Sequence, residues 1–111
     1  MTEKIDRSVF AALSESLGDD FVEELIDTFM DEVPGLFQEM QQALSAGDAD
    51  KFRRAAHSLK SSARTFGAME LAEKAQELEY MARENNLDVD DRLEVLDDMY
   101  QQAIATLRSL K

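Results

Sequence analysis

Apolar residues recur every three or four positions along almost the whole chain, and residues that interrupt helices are scarce. The 111 residues include only four glycines and one proline, and helix-favouring residues such as Ala, Leu, Glu, Gln and Met are abundant. Apolar spacing of this kind places one face of an α-helix against a core. The sequence therefore predicts an all-α protein. A chain of this length can bury a core without cross-links, so one domain spanning residues 1–111 is expected.

Glycine and aspartate residues divide this pattern into segments. A short first helix is predicted after Asp6, and Gly18 ends it. Asp20, with a glutamate three residues later, predicts the capped start of a long second helix. The apolar stripe of this helix continues on both sides of Pro34, which predicts one kinked helix rather than two. The break at residues 47–48 ends it.

Three further helices are predicted in the rest of the chain. The third carries His57 and is closed by Gly67, the fourth frays near Asn85, and the fifth starts at Asp90 or Asp91. Because the connections are short, consecutive helices should lie antiparallel. The expected architecture is an up-down antiparallel four-helix bundle with a short N-terminal capping helix.

The composition argues against several classes of function. A net charge of −12 opposes binding to nucleic acid and to anionic membranes. The chain has no cysteine and one histidine, which excludes thiol nucleophiles and argues against a metal site. No apolar run approaches the roughly 20 residues of a membrane span. The N-terminus lacks the apolar core of a signal peptide, so a cytoplasmic location is expected.

Two expectations concern the oligomeric state and whether the chain is a free-standing protein. No second exposed apolar stripe is evident, so a monomer is expected. A start at Met1 and an end at Lys111 favour a free-standing protein over a fragment of a larger kinase.

The one histidine, His57, lies in the run of residues 51–67, which contains no acidic residue and five of the 12 Lys and Arg residues. At about 100° per residue, the apolar side chains of this helix lie opposite His57. Four polar neighbours fall within about 60° of it: Arg53, Lys60, Ser61 and Arg64. The helical phase thus predicts an exposed imidazole on a basic surface.

This surface suits a carrier of phosphoryl groups. A neutral imidazole is a good nitrogen nucleophile near neutral pH. Neighbouring cations, here Lys60, Arg64 and Arg53, would stabilise a phosphoryl group on the ring. The small side chains of Ser58 and Ser61 leave room for another protein to reach the nitrogen. No carboxylate dyad or glycine-rich phosphate loop suggests independent catalysis, so the chain is expected not to be an enzyme.

Residues 56–63, Ala-His-Ser-Leu-Lys-Ser-Ser-Ala, resemble the signature of the histidine-phosphotransfer (HPt) domain family. In that signature a lysine follows the phosphoacceptor histidine by three residues and a small residue follows it by four. Lys60 and Ser61 hold these positions, although glycine is commoner than serine in the family. Gly67 matches the glycine that ends the histidine-bearing helix. The resemblance extends over most of the chain.

The resemblance implies a place in a two-component phosphorelay. His57 would accept a phosphoryl group from an aspartyl phosphate on a response-regulator receiver domain and pass it to another, with Lys60 attracting the group. An upstream hybrid sensor kinase is the implied source. No cofactor is expected on this chain, because the receiver domain would supply the Mg²⁺. The second ring nitrogen of His57 would be oriented by a polar residue of the fourth helix, Gln76 or Glu79.

Two other functions are compatible with the sequence. The chain could be a non-phosphorylated helical adaptor whose basic surface docks an acidic partner. Alternatively, it could be the excised phosphoacceptor domain of a chemotaxis-type histidine kinase, which shares the fold and takes its phosphoryl group from ATP through a separate kinase domain.

Overall fold

The computed structural model describes residues 5–110, which form five α-helices and no β-strand. In chain order these are α1 (Arg7–Leu17), α2 (Asp19–Ala46), α3 (Ala49–Thr65), α4 (Met69–Arg83) and α5 (Arg92–Leu110). Helices α2 to α5 pack as a ring in which α3 lies between α2 and α4, and α5 closes the ring against α4 and α2. Helix α1 packs against α2. The all-α prediction is confirmed.

Contacts at the two ends of α3 give the direction of the helices. Near the turn that joins α2 to α3, Lys51 Nζ donates a hydrogen bond to Gln42 Oε1 at 3.1 Å. At the far end of α3, the rings of Phe29 and Phe66 pack with their centroids 5.0 Å apart. The end of α2 thus lies beside the start of α3, and the first half of α2 lies beside the residue that caps the end of α3, so the two helices are antiparallel. The predicted up-down bundle with a capping helix is confirmed.

Helix α2 continues through Pro34, as the unbroken apolar stripe predicted. Proline has no backbone N–H, so the carbonyl of Met30, four residues earlier, has no donor within its own helix. The hydroxyl of Tyr100 on α5 donates to this carbonyl at 3.4 Å. Burial raises the pKa of Tyr100, which keeps the phenol protonated and able to donate. A side chain of α5 thus takes the place of the missing amide.

One predicted helix start is wrong, and another is narrowed to a single residue. Helix α2 begins at Asp19, and Gly18 precedes it without a side-chain cap. Asp20 therefore lies inside the first turn, where its charge favours the N-terminus through the helix dipole rather than by capping. Of the two predicted starts of α5, Asp91 is confirmed, because it precedes Arg92 and its carbonyl accepts from the Val95 amide at 3.1 Å. Asp90 has a left-handed φ of 51° that a helix does not accommodate.

Gly67, which follows α3, contacts Asp6, the residue that precedes α1. It has a φ of 79°, and a Cβ there would lie 2.8 Å from the backbone oxygen of Asp6, so both conformation and space require glycine. The Asp6 amide donates to the Gly67 carbonyl at 2.7 Å. The Asp6 carboxylate in turn caps α1 by accepting from the amide of Ser8 at 3.0 Å. The capping helix is thereby anchored to the end of the histidine-bearing helix.

Candidate functional site

Helix α3 presents His57 to solvent. Its side chain is 54% exposed, whereas Phe52 and Leu59, on the opposite face, are fully buried. Asp48 starts the helix by accepting a hydrogen bond from the Lys51 amide at 3.0 Å. The exposed position of His57 follows from the phase of the apolar residues, as the sequence predicted.

Small side chains allow α3 and α4 to approach each other closely. Buried alanines lie on both helices: Ala55, Ala56 and Ala63 on α3, and Ala72, Ala75 and Ala82 on α4. Glu79 lies on the same stripe of α4, four residues after Ala75, so its carboxylate is directed toward α3. Only 3% of Glu79 is exposed, and it is the one charged residue that is buried in the described part of the chain.

The carboxylate of Glu79 contacts three basic side chains. Its Oε2 atom lies 2.8 Å from His57 Nδ1, and its Oε1 atom accepts from Lys60 Nζ at 2.6 Å. Arg83, one turn further along α4, places Nη2 3.5 Å from Oε2. Of the two candidates for orienting the ring, Glu79 rather than Gln76 holds the second nitrogen. These four residues are called the Glu79 cluster below.

The contact with Glu79 decides which nitrogen of His57 can react. A carboxylate only accepts hydrogen bonds, so Nδ1 carries the proton and donates it to Oε2. In the neutral ring the lone pair then lies on Nε2, the nitrogen away from the protein. The Glu79 cluster therefore presents an oriented nitrogen nucleophile to solvent.

Glu79 stays ionised although it is buried. Burial raises the pKa of this carboxyl, but the hydrogen bonds and positive charges of Lys60 and His57 lower it by more. The net result is a pKa below the ordinary glutamate value. The carboxylate is thus available to orient the imidazole throughout the physiological range of pH.

The lowered pKa of Glu79 predicts a pH dependence of stability. As the pH falls, this carboxyl takes up its proton at higher pH in the unfolded chain than in the folded one, so protonation favours unfolding. The stabilisation is complete above the ordinary glutamate pKa of about 4.3 and is lost as the pH falls through the lower folded value. Urea unfolding should show the difference between wild type and Glu79→Gln shrinking from pH 7 to pH 3. An unchanged difference would contradict this prediction.

The structure brings the other predicted site residues together only in part. Arg64 is exposed and donates to the neutral amide of Gln76 at 3.2 Å. Arg53 instead pairs with Asp50 at 2.9 Å, one turn toward the start of α3 and away from the Glu79 cluster. Arg53 therefore contacts a carboxylate of its own helix and not Glu79. Ser58 and Ser61 are exposed, as the predicted partner clearance requires.

Sequence reasoning overlooked Arg83. Its position four residues after Glu79 is a common spacing for an ion pair along one helix. That signal could have linked Arg83 to Glu79, but it became informative only once Glu79 was placed against His57. The packing of α3 against α4 shows that Glu79 contacts His57 and therefore that Arg83 lies in the same cluster.

The part of the chain that the structure describes contains neither a metal-binding cluster nor a membrane-spanning helix. No group of three or more His, Cys, Asp and Glu side chains is arranged to hold a metal ion there. None of the five helices within residues 5–110 combines the length and apolar character needed to cross a bilayer.

Comparison with known proteins gives a consistent result. The profile of the Hpt domain matches residues 24–106. The chain is 30% identical to the phosphorelay protein LuxU of Vibrio cholerae serotype O1 over 106 residues, covering 91% of this chain and 94% of that protein. It is 28% identical to LuxU of Vibrio vulnificus strain YJ016, with coverage of 95% and 93%.

A solved structure has the same fold. The structure of this chain is similar to the crystal structure of the histidine-containing phosphotransfer protein HptB from Pseudomonas aeruginosa PAO1, with a TM-score of 0.78 and 31% sequence identity. The match covers 99% of this chain and 92% of the other.

Proposed function

Because the chain belongs to the Hpt domain family and is a histidine phosphotransfer protein of a phosphorelay, we propose that His57 is its phosphoacceptor. The observation that carries this assignment is the hydrogen bond of 2.8 Å between His57 Nδ1 and the buried carboxylate of Glu79. In the neutral ring this contact places the lone pair on Nε2 and fixes the direction of the ring. His57 is also the only histidine of the chain.

The transfer step follows from this geometry. The Nε2 lone pair attacks the phosphorus of an aspartyl phosphate on a receiver domain. The N–P bond forms while the bond from phosphorus to the aspartyl oxygen breaks, and the aspartate leaves as a carboxylate with the electron pair. The imidazole keeps its proton on Nδ1 and takes on a positive charge. No other proton needs to move.

Glu79 assists the step by stabilising the charge that develops on the ring. Its carboxylate already faces Nδ1 in the unphosphorylated protein, so no rearrangement is needed when the ring becomes cationic. The same contact holds the ring orientation for the reverse reaction, in which a second receiver aspartate attacks the phosphorus. Phosphoryl transfer depends mainly on positioning and neutralisation of charge. A carrier built in this way needs no independent catalytic activity.

The partners that fit this site are receiver domains, loaded by an upstream hybrid sensor kinase. The exposed Ser58 and Ser61 leave clearance for a receiver to bring its aspartate to Nε2. Arg64 donates to a neutral amide, and its positive charge complements the acidic pocket of a receiver and favours encounter. We assign the Mg²⁺ of the reaction to the receiver.

Phosphotransfer from a labelled receiver tests the proposal. A panel of receiver domains, phosphorylated with radiolabelled acetyl phosphate, is mixed with wild type and with His57→Gln. Wild type should acquire phosphate that is labile to acid and stable to alkali, and His57→Gln should acquire none. Circular dichroism checks that the variant is folded.

The other outcomes are equally informative. Label on His57→Gln equal to that on wild type would disprove the assignment of the phosphoacceptor. Binding of a phosphorylated receiver without transfer to wild type would support the non-phosphorylated adaptor instead.

A further inference from the structure

A groove of about 320 Å³ lies between α2 and α5. Helix α5 packs much less extensively against α2 and α4 than α3 does against the same two helices. Alanines let α3 approach α4, whereas the interface of α2 with α5 contains the rings of Phe37 and Tyr100, whose centroids are 6.2 Å apart. These rings form the floor of the groove, and Pro34 and Leu93 complete its apolar lining.

The walls of the groove are polar and carry negative charge. Gln38 and Gln41 line it on α2, and Glu94, Asp97 and Gln101 line it on α5. All five side chains are exposed. Because residues three or four apart lie on one side of a helix, each set forms a row along its wall. The groove is thus an apolar channel bordered by amides on one wall and by carboxylates on the other.

The two helices supply no counter-charge to these carboxylates. Helix α2 contains no Lys, Arg or His among its 28 residues, and α5 contains two arginines. Arg92 pairs with Glu77 at 3.7 Å and with Asp90 at 3.8 Å, and Arg108 contacts Met30 Sδ at 3.6 Å. Among the described residues, neither arginine forms an ion pair with a carboxylate of the groove. Its negative charge is therefore available to a partner.

Negative charge reaches the floor of the groove from both helices. Burial raises the pKa of the Tyr100 phenol, and the carboxylates of Asp97 on α5 and Asp31 on α2 raise it further. Both carboxylates therefore act on the ring that forms the floor. A cation held near such a ring is also favoured by the negative face of the aromatic system.

We propose that this groove binds a basic amphipathic helix of a partner protein. The apolar side chains of that helix lie on Phe37 and Tyr100, and lysines or arginines on its flank pair with Glu94 and Asp97. An amphipathic helix repeats its anchors every three or four residues, which matches the spacing of the two walls. A second copy of this chain fits poorly, because the exposed face of its basic helix α3 carries no large apolar side chain.

The groove lies on the opposite side of the helical ring from the Glu79 cluster. His57 contacts Glu79 across the interface of α3 with α4, whereas the groove follows the interface of α2 with α5. A helix held in the groove therefore leaves His57 open to solvent. The site attaches the protein to a partner without covering the imidazole, and it does not depend on the phosphoacceptor role of His57.

Binding of synthetic peptides tests the proposal. The probe is a peptide of about 18 residues, or five helical turns, with leucines on one face and lysines on both flanks. One control peptide replaces the leucines by glutamine, and another replaces the lysines by glutamate. Amide shifts of the ¹⁵N-labelled protein locate the site and give the Kd. The largest shifts should fall in residues 34–41 and 93–101, and both control peptides should bind at least about 10-fold more weakly.

Two double variants test the charge of the groove. The pair Glu94→Lys with Asp97→Lys should weaken binding of the probe by about 10- to 30-fold, because attraction is replaced by repulsion at two positions. The matched control, Glu24→Lys with Asp27→Lys, changes the net charge equally, at exposed positions of the same spacing outside the groove. It should weaken binding by less than about 3-fold. Circular dichroism checks that both variants are folded.

His57→Gln should bind the probe with the affinity of wild type, whether or not His57 is the phosphoacceptor. Absence of saturable binding, shifts centred on His57, or equal weakening by the two double variants would overturn the proposal. Equal binding of the glutamine-substituted peptide would also overturn it, since the aromatic floor would then have no role. Sedimentation of wild type as a dimer that the groove variant abolishes would assign the groove to a second copy and reject the partner helix.

Discussion

Replacing Glu79 by leucine is expected to lower the free energy of unfolding by about 3–5 kcal/mol, whereas the double replacement Lys60→Met with Glu79→Leu should stay within about 1 kcal/mol of wild type. The single variant leaves the ammonium group of Lys60, which is 13% exposed, facing an apolar side chain. The double variant removes both charges and keeps similar volumes at the contact between α3 and α4. Urea unfolding at pH 7 measures both values.

The double variant also separates stability from function. His57 loses the acceptor for its Nδ1 proton, and either nitrogen can then carry that proton. Transfer from a phosphorylated receiver should slow by about 10- to 100-fold, the usual cost of losing the alignment of a reacting group. If the double variant were as unstable as Glu79→Leu, the loss would come from packing rather than from an unpaired charge. Transfer at the wild-type rate would show that Glu79 does not orient the ring.

Leu59→Ala is expected to lower the free energy of unfolding by about 2–5 kcal/mol, because Leu59 is fully buried and its removal leaves a cavity. His57→Ala, two residues earlier, should cost only about 1 kcal/mol, the net contribution of one hydrogen bond. Its side chain is largely exposed, and Glu79 keeps Lys60 as a partner. Thermal unfolding of the two variants under one set of conditions measures the contrast. Equal destabilisation would mean that the imidazole is a structural element.

The helical phase was sufficient to place His57 and Leu59 on opposite faces of α3. It depends only on the order of apolar residues within one helix, which the sequence contains in full. The continuity of α2 through Pro34 was predictable for the same reason, since the apolar stripe keeps its spacing across the proline. Local regularities of this kind largely determine which side chains are buried.

The partners of each charged side chain were harder to predict. Gln76 and Glu79 lie one turn apart on α4, and both could face α3. The choice between them depends on the relative height of the two helices, which is set where the buried alanines of α3 and α4 pack together. Arg53 lies four residues before His57, and its side chain pairs with Asp50 of the same helix. The partner of His57 depends on packing between two helices, and that of Arg53 depends on side-chain rotamers, so the spacing of apolar residues determines neither.

The hydrogen bond from Tyr100 to the Met30 carbonyl has a consequence for the order of folding. An ordinary helix completes its own backbone hydrogen bonds while it forms, but α2 cannot do so around Pro34. Its missing donor lies 70 residues away in sequence. Contacts of such long separation form late, because a long loop must first be closed. The middle of α2 therefore reaches its final hydrogen bonding only when α5 docks, so the first long helix of the bundle depends on the last.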